Sequence, residues 1–244
     1  MRPHPLSAAL LVIAHACVAC SGTGQPEVEY PAFAVATVPE SIEAGDWQVT
    51  LERAEVAFGP VYFCAAASGS ATLCETAVGE LASVHLVDAL SGEAQPLGTV
   101  RGLAGAVRSA SYDYGLHWYL TESSANADPA APGGHSAMFM GRATNGDGDA
   151  LDFRAEVDVL PQYRGQRAVP TARADATVRD DVDTRLEVRF DPAAWIAGVD
   201  FDDLFAEAVD GGVVVSAGST AHDAIAIAMV ATHPAEFSWT ETAE

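Results

Sequence analysis

The chain has 244 residues, with 34 acidic side chains against 12 basic ones, a formal net charge of −22 and no lysine. Such a surface repels phosphate backbones and anionic headgroups, which excludes nucleic-acid binding and electrostatic docking to a bilayer, and it attracts cations. The absence of lysine excludes Schiff-base and Ser-Lys chemistry and leaves arginine as the permanent cation.

At the N-terminus Arg2 precedes the apolar run Leu6 to Ala14, and small residues lead on to Cys17-Val-Ala-Cys20. A basic start, a short apolar core and small residues before a cysteine resemble a bacterial lipoprotein signal. The resemblance implies removal of residues 1–19 as an export signal and lipidation of Cys20, with palmitate among its acyl chains. Val18 and Ala19 fit the small positions, whereas Cys17 stands where the pattern carries Leu. Cleavage after Ala14-His15-Ala16 is the rival, and it would leave Cys17 and Cys20 as a C-x-x-C at the mature terminus. The apolar run is short of the roughly 20 residues needed to span a bilayer. Residues 20–29 then read as the lipidated cysteine and a small, polar tether, and residues 30–242 as a single domain. Ser21 after Cys20 favours the outer membrane, with the domain in the periplasm or at the cell surface.

Beyond the signal there are two cysteines, Cys64 and Cys74. In an exported protein a close, even pair is expected to form a disulfide, and closing a ring of about eleven residues stabilises a domain by roughly 3 kcal/mol.

Period-two alternation begins in Trp47-Gln-Val-Thr-Leu, where Trp47, Val49 and Leu51 share one face. The pattern continues past Gly59-Pro60 into Val61 to Cys64. It recurs at Val84 to Asp88, Ala106 to Tyr112, His117 to Leu120, Ser136 to Thr144, Leu151 to Leu160, Arg185 to Phe190 and Gly212 to Val215. Short strands separated by Gly, Pro, Asp and Ser predict a mainly β fold, an antiparallel β-sandwich of Greek-key, immunoglobulin- or transthyretin-like type. Asp191-Pro192 and Asp200 to Val209 predict one or two short helices in a late connection. Ala221 to Ala231 reads as a buried strand from the alternation of Ile225, Ile227 and Met229, and Thr121 to Gly134 as an exposed loop.

Imidazole and thioether side chains gather at His135-Ser-Ala-Met138-Phe-Met140, a combination that suits Cu(I). Met138 and Met140 share one face of a regular strand, and His135 joins them only if a bulge or loop edge turns it around. His222 and His233 are further candidates, since strands remote in sequence meet at one end of a sandwich. The candidate metal ligands are therefore His135, Met140 and His222, with copper ahead of calcium. Asn145-Gly-Asp147-Gly-Asp149 approaches a calcium loop, but Ala150 replaces the expected glycine and a strand pattern follows, so an Asn-Gly hairpin is the simpler reading. No nucleophile elbow, phosphate-binding glycine loop or His-Glu-x-x-His is present, which points to a non-enzymatic chain.

The order of these features is similar to that of secreted bacterial sandwich lipoproteins, including the copper-binding periplasmic proteins encoded beside methanobactin genes. The shared elements are the Trp47 strand, Val87-Asp-Ala-Leu followed by the Pro96-Leu-Gly turn, the His135 loop and the Gly141-Arg-Ala-Thr-Asn-Gly hairpin. The resemblance implies a Greek-key β fold and one copper ion held by histidines near a tryptophan. The expectation is a membrane-anchored binding or interaction module whose partners are the membrane, through its lipid, and a protein or small-molecule ligand. A metal-free scaffold and a carboxylate-based envelope hydrolase are the alternatives.

Overall fold

The computed structural model describes residues 24–37, 39–67 and 77–242. In chain order the elements are β1 (Glu27–Ala36), β2 (Ile42–Ala44), β3 (Trp47–Phe58), β4 (Val61–Cys64), β5 (Gly79–Leu81), β6 (His85–Asp88), β7 (Gln95–Leu103) and β8 (Gly105–Tyr112). They continue with β9 (Leu116–His117), β10 (Asn126–Ala127), β11 (Ala137–Asn145), β12 (Ala150–Val157), β13 (Val169–Val178) and β14 (Asp183–Phe190). The last are α1 (Pro192–Ala197), α2 (Phe201–Glu207), β15 (Gly212–Val215), α3 (Thr220–Ile227) and β16 (Glu236–Thr242). Both Cys20 and Cys74 lie outside the described residues, as does the export signal, while Cys64 ends β4. Strand structure begins at Glu27, so β1 takes up the end of the segment expected to be tether.

The strands form a mainly β, sandwich-like fold. One sheet has the order β13-β8-β4-β5-β7-β1-β14-β16 and the other β15-β12-β11-β3-β2, with β6 also paired to β3. Most pairs are antiparallel, as expected. The exceptions are β1 with β14 and β12 with β15, which run parallel because the intervening chain crosses over before each pair forms.

Alternation decides which side chains meet between the sheets. In β12, Leu151, Phe153, Ala155 and Val157 are buried, while Asp152, Arg154 and Glu156 face outward. β11 buries Ala137, Phe139, Gly141 and Ala143 against them. The middle of the core is aromatic: Phe58 lies 5.0 Å from Phe190 and 5.2 Å from Tyr112, centroid to centroid. The polar ends of the buried tyrosines are used. Tyr114 donates to the carbonyl of Met229 at 3.0 Å, and Tyr112 accepts from the main-chain N–H of Ala235 at 3.0 Å. Burial raises the pKa of both phenols, which stay protonated.

Both expected late helices are present. Asp191 caps α1 through Ala194 N, and Asp200 caps α2 through the N–H groups of Asp202 and Asp203. The expected strand at Ala221 to Ala231 is instead α3 followed by a π-helical turn at Ala228–Thr232. Ser219 initiates it by accepting from His222 N, and this capping after the Gly218 turn overrides the alternation of Ile225, Ile227 and Met229. The expected loop at 121–134 is mostly exposed, yet it contains β10 and a 3-10 turn at Pro132–Gly134, and it buries Ala131 and Pro132.

Candidate functional site

β12 leaves the sheet at Val157, and the next residues, Asp158 and Val159, carry main-chain N–H groups that no neighbouring strand receives. Side chains receive them instead. Asp158 N donates to Nε2 of His222 at 3.0 Å, and Val159 N donates to Oγ of buried Ser136 at 3.0 Å. Two segments remote in sequence, the start of β11 and the first turn of α3, are thereby fastened to the end of β12.

The same aspartate holds the second histidine. Nδ1 of His135 is 2.9 Å from Oδ1 of Asp158, and its Nε2 is 3.5 Å from Oε2 of Glu156. Glu156 is also paired with Arg154 at 2.7 Å. Strict alternation would place His135 on the face opposite Met138. The 3-10 turn prevents this: Gly133 and Gly134 take positive φ of 64° and 89°, and the chain enters β11 with the imidazole already on the outward side, where Glu156 and Asp158 project. His135 and His222, two of the three expected ligands, thus meet around one residue, Asp158.

Met140 is placed differently. It pairs across the sheet with Arg154 on β12 and Arg53 on β3, one outward step further from Asp158 than Met138, which pairs with Glu156 and Glu55. Met138 is also the thioether beside the histidine turn: a Cβ built on Gly133 would come 3.0 Å from Met138 Cε and 3.7 Å from His135 Cδ2.

The hydrogen bonds assign the tautomer of His222. Because Nε2 accepts a main-chain N–H, its proton sits on Nδ1, which lies 3.0 Å from Oδ1 of Asp223. The imidazole is buried, and its Nε2 lone pair is taken up by that N–H. His135 differs, since both of its nitrogens face carboxylates, Nδ1 that of Asp158 and Nε2 that of Glu156.

The carboxylates do not close a third corner. Asp158 and Glu156 lie at opposite nitrogens of one ring, so they diverge, and among the described residues no three His, Cys, Asp or Glu side chains form a group able to hold a metal ion. At the hairpin between β11 and β12, Asn145 Oδ1 accepts from the N–H groups of Asp147 and Asp149, and its amide donates to Asp149 Oδ2 at 3.1 Å. The turn is closed by its own side chains, as an Asn-Gly hairpin.

The remaining histidines stand apart. His233 lines a groove of about 1000 Å³ with Arg173, Arg189 and Glu236 and gives its carbonyl to Trp195 Nε1. The Nδ1 of His117 lies 3.2 Å from fully buried Asp113, which also accepts from Arg167 and from Ala168 N, each at 2.7 Å. His85 is partly buried, its Nε2 has no hydrogen-bond partner, and burial lowers its pKa against the smaller pull of Asp128.

No family model matches this chain, and no curated protein matches it. Among solved structures it is similar to MbnP from Methylosinus trichosporium, at 12% identity and a TM-score of 0.41, over 90% of this chain and 100% of that one.

The sequence offered His135 and His222 as candidate ligands but not their neighbours Asp158 and Glu156. The available signal was parity: Arg154, Glu156 and Asp158 continue the outward series of β12.

Proposed function

We propose that this chain is an exported, lipid-anchored, non-enzymatic binding module of the bacterial envelope, and that its ligand is a metal ion, Cu(I), taken by His135 and His222. The observation that carries the reading is the meeting of the two imidazoles at Asp158, whose carboxylate lies against Nδ1 of His135 and whose main-chain N–H donates to Nε2 of His222. Imidazole side chains with a thioether beside them suit a soft cation satisfied by few ligands. Calcium fits poorly, since it takes six to eight oxygens. The net charge of −22 draws cations toward the domain. Anchoring at Cys20 and a bridge between Cys64 and Cys74 belong to the same proposal.

The test is a Cu(I) competition titration of the chain from residue 21, against a chelator of known affinity. One equivalent bound with Kd below about a micromolar, equivalent to roughly 8 kcal/mol, and lost in both His135→Ala and His222→Ala, supports the reading. Unchanged affinity in the two variants removes these ligands. No copper uptake by the unaltered chain removes the metal and leaves a module for a protein or small-molecule partner.

A further inference from the structure

Large apolar side chains stand in solvent on two short stretches that adjoin. Tyr119 and Leu120, 55% and 74% exposed, follow Trp118, while Leu160 and Tyr163, 51% and 60% exposed, belong to the connection from β12 to β13. Gly165 N donates to the carbonyl of Trp118 at 2.6 Å, and a Cβ on Gly165 would come 2.8 Å from the Leu120 side chain. The Arg164 guanidinium lies 5.5 Å from the centre of the Trp118 ring. Apolar surface on the order of a few hundred Å² in one place marks an interaction site on a folded domain.

The stretches are held in place from beneath. Buried Asp113 accepts from Arg167 and from Ala168 N in the connection, and lies 3.2 Å from Nδ1 of His117 in the other stretch. Trp118 Nε1 donates to the carbonyl of Glu122 at 3.3 Å. Aromatic side chains on loops fixed in this way lose little freedom when a partner covers them.

The local charge opposes that of the molecule. Arg167 is paired with Asp113, but Arg164 is exposed and has no carboxylate partner among the described residues, on a chain of net charge −22. Glu122, the acid of the neighbouring loop, turns its carboxylate to the Asn126 amide instead. The patch also lies away from the point where the chain enters the domain. Pro26, just before β1, accepts from Ala104 N at 2.8 Å, and Ala104 immediately precedes β8. β8 then runs for about 23 Å. It ends at Tyr112, which pairs with Val169 directly after the patch-bearing connection. A bilayer holding Cys20 is on the entry side, a step that rests on the anchoring proposed above.

We propose that Trp118, Tyr119, Leu120, Tyr163 and Arg164 form the docking surface for a second protein, one that presents a carboxylate beside apolar side chains. The carboxylate faces Arg164, and the apolar groups cover Tyr119, Leu120 and Tyr163. Trp, Tyr and Arg are the side chains that dominate binding energy at protein interfaces, and an arginine fork fixes the register of a carboxylate. The surface uses neither His135 nor His222, so it is independent of the copper reading.

The experiment selects a phage-displayed library of random dodecapeptides on the chain from residue 21, in buffer containing chelator so that no metal takes part. The recovered peptides are expected to share Asp or Glu next to Leu, Phe or Trp. As free peptides they should bind at least tenfold more weakly to Arg164→Gln and to Tyr163→Ser, two exposed positions where substitution leaves the melting temperature unchanged. Arg185→Gln, which removes an arginine stacked on Phe33 of β1, should bind them as the parent does. Peptides without that pattern, or peptides whose binding neither patch substitution weakens, overturn the proposal. Sedimentation and flotation with phosphatidylcholine vesicles decide between occupants, and the expected chain is a monomer that does not float. A dimer that Tyr163→Ser dissociates assigns the patch to a second copy, and flotation that Tyr163→Ser abolishes assigns it to a bilayer. Either result overturns the proposal and leaves the copper reading untouched.

Discussion

Nε2 of His222 accepts the main-chain N–H of Asp158, so an imidazole from the first turn of α3 finishes the hydrogen bonding of a strand 64 residues earlier in the chain. His222 is consequently a structural acceptor in the metal-free protein as well as a candidate ligand, and the two roles make separable demands.

The structural role predicts a cost for His222→Ala without any metal present. Truncation leaves a part-buried N–H without its acceptor, which costs about 1 kcal/mol, the low end of the range for an unsatisfied buried donor. Chemical denaturation in chelator should show that loss with an unchanged denaturant slope. His222→Ala as stable as the parent would mean that water or a shifted backbone satisfies Asp158.

A second buried polar site sets a larger penalty. Asp113 is fully buried and accepts from Arg167, Ala168 N and His117. Asp113→Ala strands all three donors at once. The expected loss is about 3 kcal/mol, at the low end for a broken buried ion pair, because Arg167 and His117 keep some access to water. Thermal unfolding of the two proteins side by side checks the figure.

The pKa of His85 is lowered by burial in the folded chain, and its Nε2 lies buried without a partner. In the unfolded chain it titrates near 6.5, so below that value the unfolded state binds more protons than the folded one. Stability from this residue is present above pH 6.5 and is lost as the pH falls through the lowered folded value. The melting temperature should therefore fall less between pH 7.5 and 5.5 in His85→Gln than in the parent. Equal slopes would show that His85 is as hydrated as in the unfolded chain.

Anchoring makes its own prediction. The full chain expressed in a bacterium with lipoprotein processing should partition into detergent, and Cys20→Ala should move it to the aqueous phase. Aqueous partition of the unaltered chain would favour cleavage after Ala16 and plain secretion.

The sequence was most legible where side-chain volume and alternation agree. In β12 the inward series is Leu151, Phe153, Ala155 and Val157 against charged neighbours, and both the strand and its face are plain. β1 and β13 were hidden because many of their inward positions are alanines, Ala32, Ala34 and Ala36 in one and Ala172 and Ala174 in the other, while Phe33 and Val35 of β1 are less buried. Alanine carries little hydropathy contrast, so the burial alternates where the composition does not. α3 was misread for a related reason: its isoleucines alternate by chance, and the Ser219 cap decided the matter. At the site, the residue types of His135 and His222 were visible, but the turn at Gly133 and Gly134 that swings His135 outward depends on backbone angles no spacing rule supplies.

The central claim is that His135 and His222 together hold one ion. X-ray absorption at the copper edge of the Cu(I)-loaded chain reads the donors directly. The account predicts scattering from two imidazoles in the parent and from one in each of His135→Ala and His222→Ala. A copper environment that neither substitution changes, or a spectrum without imidazole scattering, would contradict it.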